Sequence, residues 1–231
     1  MKTIGIIGGL GPESTVDYYR RIIAAYQERQ SDGSYPAIII NSIDLKRIRG
    51  LIEANELGAV AEQLVSEIEK LARAGAAFGL LAANTPHLVF DEVSRRSRIP
   101  LISIVEATCD EAKALGLRRL GLFGTRFTMQ GRFFPAVFSR EDVALIVPDP
   151  DEQTYIHDKY FSEFVKGIFL PETRSRLLEI VDHMIERDRI DGLILGGTEL
   201  PLALRDPSHH GIPLLDTTGI HVRAIVAMAM A

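Results

Sequence analysis

A chain of 231 residues, 46% hydrophobic and 25% charged, is long enough to bury a sizeable core and has the composition of a globular protein. A net charge of −5 argues against nucleic acid or an anionic membrane as partner, because no basic stripe exists to neutralise phosphates; Arg95-Arg96 and Arg118-Arg119 are isolated pairs. One cysteine permits neither an internal disulfide nor a CxxC metal or redox motif, which suits a reducing, cytoplasmic setting.

Residues 2–7 are apolar and β-branched up to a glycine, the pattern of a buried parallel strand and too short for a signal peptide. The turn Gly8-Gly9-Leu10-Gly11-Pro12-Glu13-Ser14-Thr15 follows, with glycines that permit positive φ and close backbone approach to a ligand. Ser14 or Thr15 then caps a helix predicted over 16–27. The positive end of that helix suits a carboxylate or phosphate; the alternative is a turn that only packs helix on strand. The spacing is not GxGxxG, and Asp44 comes too late for a ribose partner, which counts against a dinucleotide.

A second strand over 36–42 leads to Lys46, Arg47 and Arg49, which either clamp a carboxylate or solvate a helix start. Residues 62–75 read as a helix ended by Ala74-Gly75. The strand Gly79-Leu80-Leu81-Ala82 then stops in the polar loop Ala83-Asn84-Thr85-Pro86-His87. In a helix over 105–115, Val105, Cys109 and Ala112 share one face, so Cys109 reads as a small core residue.

A strand from Leu120 to Thr125 echoes the first strand, and its turn carries hydroxyls, Thr125 and Thr128, where the first carries glycines. They either donate to a bound carboxylate or, for Thr128, cap the next helix. After a strand over 143–147 and a turn-rich acidic loop over 148–152, residues 153–170 read as helix or lid, carrying Tyr155, His157, Tyr160 and Lys166. His209-His210 sits in a Pro/Ser/Gly loop without a third ligand at metal spacing, so no metal site is assigned. The terminal apolar run 224–231 is shorter than the ~18 residues of a membrane span.

A repeat organises these parts. Gly192-Leu193-Ile194-Leu195-Gly196-Gly197-Thr198-Glu199 repeats the strand and loop opened by Gly79, at an interval of 113 residues. Ile212-Pro213-Leu214-Leu215 repeats Ile99-Pro100-Leu101-Ile102 at the same interval, as Leu177, Val181 and Met184 repeat Leu64, Ile68 and Leu71. The expected fold is therefore α/β, with two pseudo-symmetric parallel-sheet domains and a ligand cleft between them, lined by Asn84-Thr85 and Thr198-Glu199 at strand ends. Glu199 and His87 are the titratable residues of those loops and form a candidate acid–base pair; a Glu bonded to its own loop and a His satisfied at a helix start are the alternative.

The opening glycine turn, Ala83-Asn84-Thr85-Pro86-His87, Gly124-Thr125-Arg126-Phe127-Thr128-Met129, Gly196-Gly197-Thr198-Glu199 and Leu215-Asp216-Thr217-Thr218-Gly219-Ile220-His221 together resemble the aspartate/glutamate racemase family in order and spacing. The resemblance implies a cofactor-independent isomerase, commonly a homodimer, acting on a small acidic amino acid or dicarboxylate. Its domains would comprise 1–102 with 215–231, and 103–214. It also implies a binding apparatus of Leu10, Asn84, Thr85, Thr125, Thr128 and Thr198; Lys166, before Gly167 at a predicted helix end, is by its position either solvent-exposed or a further cationic contact to an acidic ligand. The family's two cysteines, which move the α-proton from opposite faces, fall at Ala83 and Gly197. Neither side chain can carry a proton. Two expectations follow from that departure: an enzyme with a different acid–base set, Glu199 and His87, or a metabolite-binding pseudoenzyme.

Overall fold

The computed structural model describes all 231 residues, which divide into two units, Met1–Ile104 with His221–Ala231, and Val105–Ile220. The first unit runs β1 (Ile4–Gly8), α1 (Pro12–Gln27), β2 (Ile38–Ser42), α2 (Leu45–Glu53), α3 (Leu57–Arg73), β3 (Phe78–Leu81), α4 (Phe90–Arg96) and β4 (Leu101–Ile102). Its sheet is parallel throughout, in the order β2-β1-β3-β4. The central strands β1 and β3 are buried at every residue, which explains their unbroken apolar runs.

The second unit follows the same plan. After α5 (Ile104–Ala114) come β5 (Arg119–Gly124), α6 (Arg126–Met129), α7 (Phe133–Phe138), β6 (Ala144–Ile146), α8 (Pro150–Ser162), α9 (Pro171–Asp188), β7 (Gly192–Gly196), α10 (Leu200–Ala203), β8 (Ser208–His209) and β9 (Ile212–Asp216). The order β6-β5-β7-β9 matches the first sheet strand for strand, and β8 adds an antiparallel edge. The repeat at 113 residues is thus structural. α3 buries Leu64, Ile68 and Leu71 and α9 buries Leu177, Val181 and Met184, all at 0–1% exposure, in the layer before each second central strand.

The last helix, α11 (Thr217–Met230), carries Val222, Ile225, Val226 and Ala229 into the first unit's core, against Ile4, Ile6, Tyr18 and Phe78. The Lys2 amide donates to the Ala229 carbonyl at 2.9 Å, tying the two termini together. No helix is long and apolar enough to cross a membrane.

Several boundaries differ from the sequence expectation. α1 starts at Pro12 rather than 16, so Ser14 and Thr15 lie inside its first turn and cap nothing. Ser14 Oγ instead donates to the Ala82 carbonyl at 2.9 Å, and Thr15 Oγ1 accepts the Gly9 amide at 2.8 Å. The first bond joins the start of α1 to the end of β3, and the second closes the glycine turn on itself. Thr128 is not a cap either: Thr125 is the N-cap of α6, its side chain accepting the Thr128 amide. The acidic loop over 148–152 is largely the first turn of α8, where Pro150 opens the helix and Glu152 accepts the Asp149 amide at 3.1 Å. Of residues 153–170, those up to Ser162 are helix and Phe164–Lys166 form a short 3-10 turn, with Ile156, Tyr160 and Phe164 buried at i, i+4 spacing.

Candidate functional site

In the first unit the loop after β3 is built on its own backbone. Ala83, Asn84 and His87 are buried, and Thr85 opens the 3-10 turn Thr85–Val89. The His87 amide donates to the Asn84 carbonyl at 2.9 Å. Its ring is held at both nitrogens: Nδ1–H donates to the Ala83 carbonyl at 3.0 Å, and Nε2 accepts the Ile104 amide at 3.3 Å. These partners admit only the neutral Nδ1–H tautomer. Burial agrees, lowering the His87 pKa to about 4, while the ring stacks on Phe90 with centroids 4.8 Å apart. His87 therefore braces the loop as a neutral strut. Its proposed acid–base role would require a nitrogen that the backbone already occupies.

A second buried histidine stands close by. His221 Nδ1 accepts from the Tyr18 hydroxyl at 2.8 Å, and Nε2–H donates to the Ile102 carbonyl at 3.1 Å. Burial, and after it the proximity of His87, lowers its pKa to about 3. Sequence reading gave His221 no role beyond its place in a motif, because nothing local signals that α11 delivers it beneath β4.

In the second unit the loop after β7 holds a buried carboxylate. Glu199 is 1% exposed, Thr198 2% and Tyr160, from α8, 6%. The Tyr160 hydroxyl donates to Glu199 Oε2, and Thr198 Oγ1 donates to the same oxygen at 3.0 Å. Burial, then the Glu199 charge, raises the Tyr160 pKa well above the ordinary phenol value, so the phenol keeps its proton and is the donor. Glu199 Oε2 thus accepts from two hydroxyl donors.

The ring of Tyr160 also explains Gly197. A Cβ at that position would lie 2.4 Å from Tyr160 Cε2 and 2.9 Å from its hydroxyl oxygen. The space that a side chain at 197 would need is filled by the phenol. Tyr160 was in the predicted helix-or-lid segment without an assigned role; the spacing of Ile156, Tyr160 and Phe164 is the one signal that marks it as buried.

The remaining predicted residues fall as follows. Thr125 and Thr128 are buried at the end of β5, with hydroxyls 3.3 Å apart. Gly124 and Gly196 let them close on the strand ends, since a Cβ on Gly124 would lie 2.8 Å from Thr128 Cβ. Leu10 is buried in the turn after β1, and Lys166 is exposed at the end of the 3-10 turn. Cys109 is 2% exposed, and burial raises its thiol pKa, so it is an inert core residue. His209 and His210 do have a third candidate ligand, Asp182 of α9, which corrects the reading of the pair as lacking one.

Comparison with known proteins places this geometry. Residues 7–225 match the family model described as Asp/Glu/Hydantoin racemase. The chain is 24% identical over 234 residues to the broad specificity amino-acid racemase RacX of Bacillus subtilis, covering 99% of this chain and 98% of that one. An aspartate racemase homologue from Pyrococcus horikoshii superposes with a TM-score of 0.84 at 34% identity, covering both chains completely. The aspartate racemase of Picrophilus torridus shares the fold, with a TM-score of 0.76 at 21% identity over 100% of this chain and 95% of that one. Such membership supports an isomerase function of the racemase type. With the family model matched over residues 7–225 and a 34% identical homologue covered in full, the chain belongs to the Asp/Glu/hydantoin racemase family.

Proposed function

We propose that this member recognises a small acidic amino acid through its strand-end loops, Asn84-Thr85 and Thr125, Thr128 and Thr198, and holds it without inverting its α-carbon. The observation that carries this reading is the pair of substituted positions. Ala83 presents a methyl group, and Gly197 presents no side chain because Tyr160 fills the space. Neither loop offers a proton carrier where the resemblance places a thiol, and His87 of the first loop has both nitrogens on backbone groups. Hydroxyls and loop amides suit carboxylates. Glu199, buried beside Thr198, adds an acceptor for the ammonium group of an amino acid, a group that a plain dicarboxylate lacks.

The Tyr160–Glu199 contact favours one second reading, in which Glu199 exchanges the α-proton on a single face. Calorimetry with D- and L-aspartate, D- and L-glutamate and succinate, followed by proton NMR and chiral analysis in D2O, separates the two. Amino-acid binding stronger than succinate binding, with no exchange, supports the holding role. Exchange with retained configuration that disappears in Glu199→Gln supports the one-face reading. Racemisation by the unmodified chain would reject both.

A further inference from the structure

We propose a divalent transition-metal site at the tip of the β8–β9 hairpin, formed by His209, His210 and Asp182, whose ion clamps that hairpin to α9. It lies outside the strand-end loops and stands independently of the function proposed above. The turn residues His210 and Gly211 have φ of 46° and 85°, and His209 pairs with Ile212 across them. This is a two-residue hairpin with both central residues left-handed, a geometry in which His is among the tolerated non-glycine residues. In a regular strand two consecutive side chains point to opposite faces. Here the left-handed turn brings both imidazoles to one side, with centroids 4.3 Å apart and planes at 89°.

α9 supplies the third group. Its buried face, Leu177, Ile180, Val181 and Met184, fixes the helix against the sheet, and Asp182 falls on the partly exposed side. Asp182 Oδ1 is 2.7 Å from His209 Nε2 and 3.6 Å from His210 Nε2, and the three donor atoms lie within 4.8 Å of one another. A tetrahedron built on zinc bonds of about 2.0–2.1 Å has an edge of about 3.3 Å, inside the range these atoms span. Without an ion, His209 Nε2 donates a proton to Asp182; with one, that nitrogen loses its proton and the lone pair turns to the metal. Two imidazoles and one carboxylate suit Zn2+, Ni2+ or Cu2+ rather than Mg2+, which takes oxygen ligands.

The test uses the full chain, stripped with EDTA and titrated with ZnSO4 by calorimetry. One equivalent should bind with a Kd of about 10 µM or tighter, as expected of a three-ligand surface site. His209→Ala, His210→Ala and Asp182→Asn should each weaken it at least about tenfold, the loss typical of a removed ligand or its support. His183→Ala, a change at another helix-surface histidine that pairs with Glu152, should leave the affinity unchanged. Zinc at 100-fold excess over Kd should raise the melting temperature by at least about 4 °C in the unmodified chain and not in Asp182→Asn. Because the three residues are partly exposed, their variants are checked for native circular dichroism, and Co2+ absorption reports ligation directly. Absence of saturable binding below 100 µM, or equal affinity in the His209→Ala/His210→Ala double variant, would overturn the site; these thresholds rest on the same three-ligand estimate, about 10 µM.

Discussion

The contact between Tyr160 and Gly197 predicts how this chain responds to the smallest possible side chain at its missing-thiol position. Gly197→Ala places a methyl carbon 2.4 Å from Tyr160 Cε2, well inside contact distance, so the ring must move. Forcing a buried aromatic aside in a packed core costs about 1–3 kcal/mol. Moving it also removes the phenol from Glu199, and loss of a hydrogen bond to a buried carboxylate costs about 1.5–3 kcal/mol. The expected destabilisation is therefore about 2.5–6 kcal/mol from adding one methyl group. Urea denaturation at pH 7.5 measures it, and a double-mutant cycle identifies the cause. In the Tyr160→Ala background, where the ring is absent, Gly197→Ala should be nearly neutral, giving a coupling of at least about 2 kcal/mol. If Gly197→Ala alone stayed within about 0.5 kcal/mol of the unmodified chain, the range of an ordinary surface change, the ring would not occupy that space and the account of Gly197 would fail.

Three further outcomes follow from the same structure. Cysteines introduced at Ala83 and Gly197 should not yield racemisation by themselves, whereas adding Tyr160→Ala should make room for the second thiol; a D/L-aspartate chiral assay of the double and triple variants decides it, and activity in the double variant contradicts the steric argument. Stability should fall on acidification between pH 6.5 and 4, because the buried His87 and His221, with pKa values near 4 and 3, refuse protons that the unfolded chain accepts. The stabilisation is fully present above about pH 7 and declines by about 2 kcal/mol per histidine at pH 5, so equal urea midpoints at pH 7.5 and 5 would contradict it. Thr198→Val removes one of the two hydroxyl donors to Glu199 at nearly constant volume, and should weaken binding of aspartate more than tenfold if the loop holds the ligand, as calorimetry would show.

The duplicated α/β fold was legible before any coordinates, and for a local reason. Parallel strands buried on both faces need unbroken apolar runs, amphipathic helices need a 3.6-residue stripe, and both signals recur at one interval of 113 residues. Cys109 was placed in the core on the same kind of evidence. Boundaries were harder wherever a polar side chain had two ways to be satisfied: Ser14 and Thr15 look like caps, yet they bond across to Ala82 and Gly9.

The chemistry of the loops depended on residues brought together from far along the chain. Tyr160 reaches Glu199 over 39 residues, Tyr18 reaches His221 over 203, and Asp182 meets His209 over 27. The resemblance of the loop motifs to the family named the absent thiols at Ala83 and Gly197. That a phenol stands in the second of those places, and that His87 is neutral with both nitrogens engaged, follows from helix-on-sheet packing. Such contacts arise between elements, where no periodicity within either one records the partner.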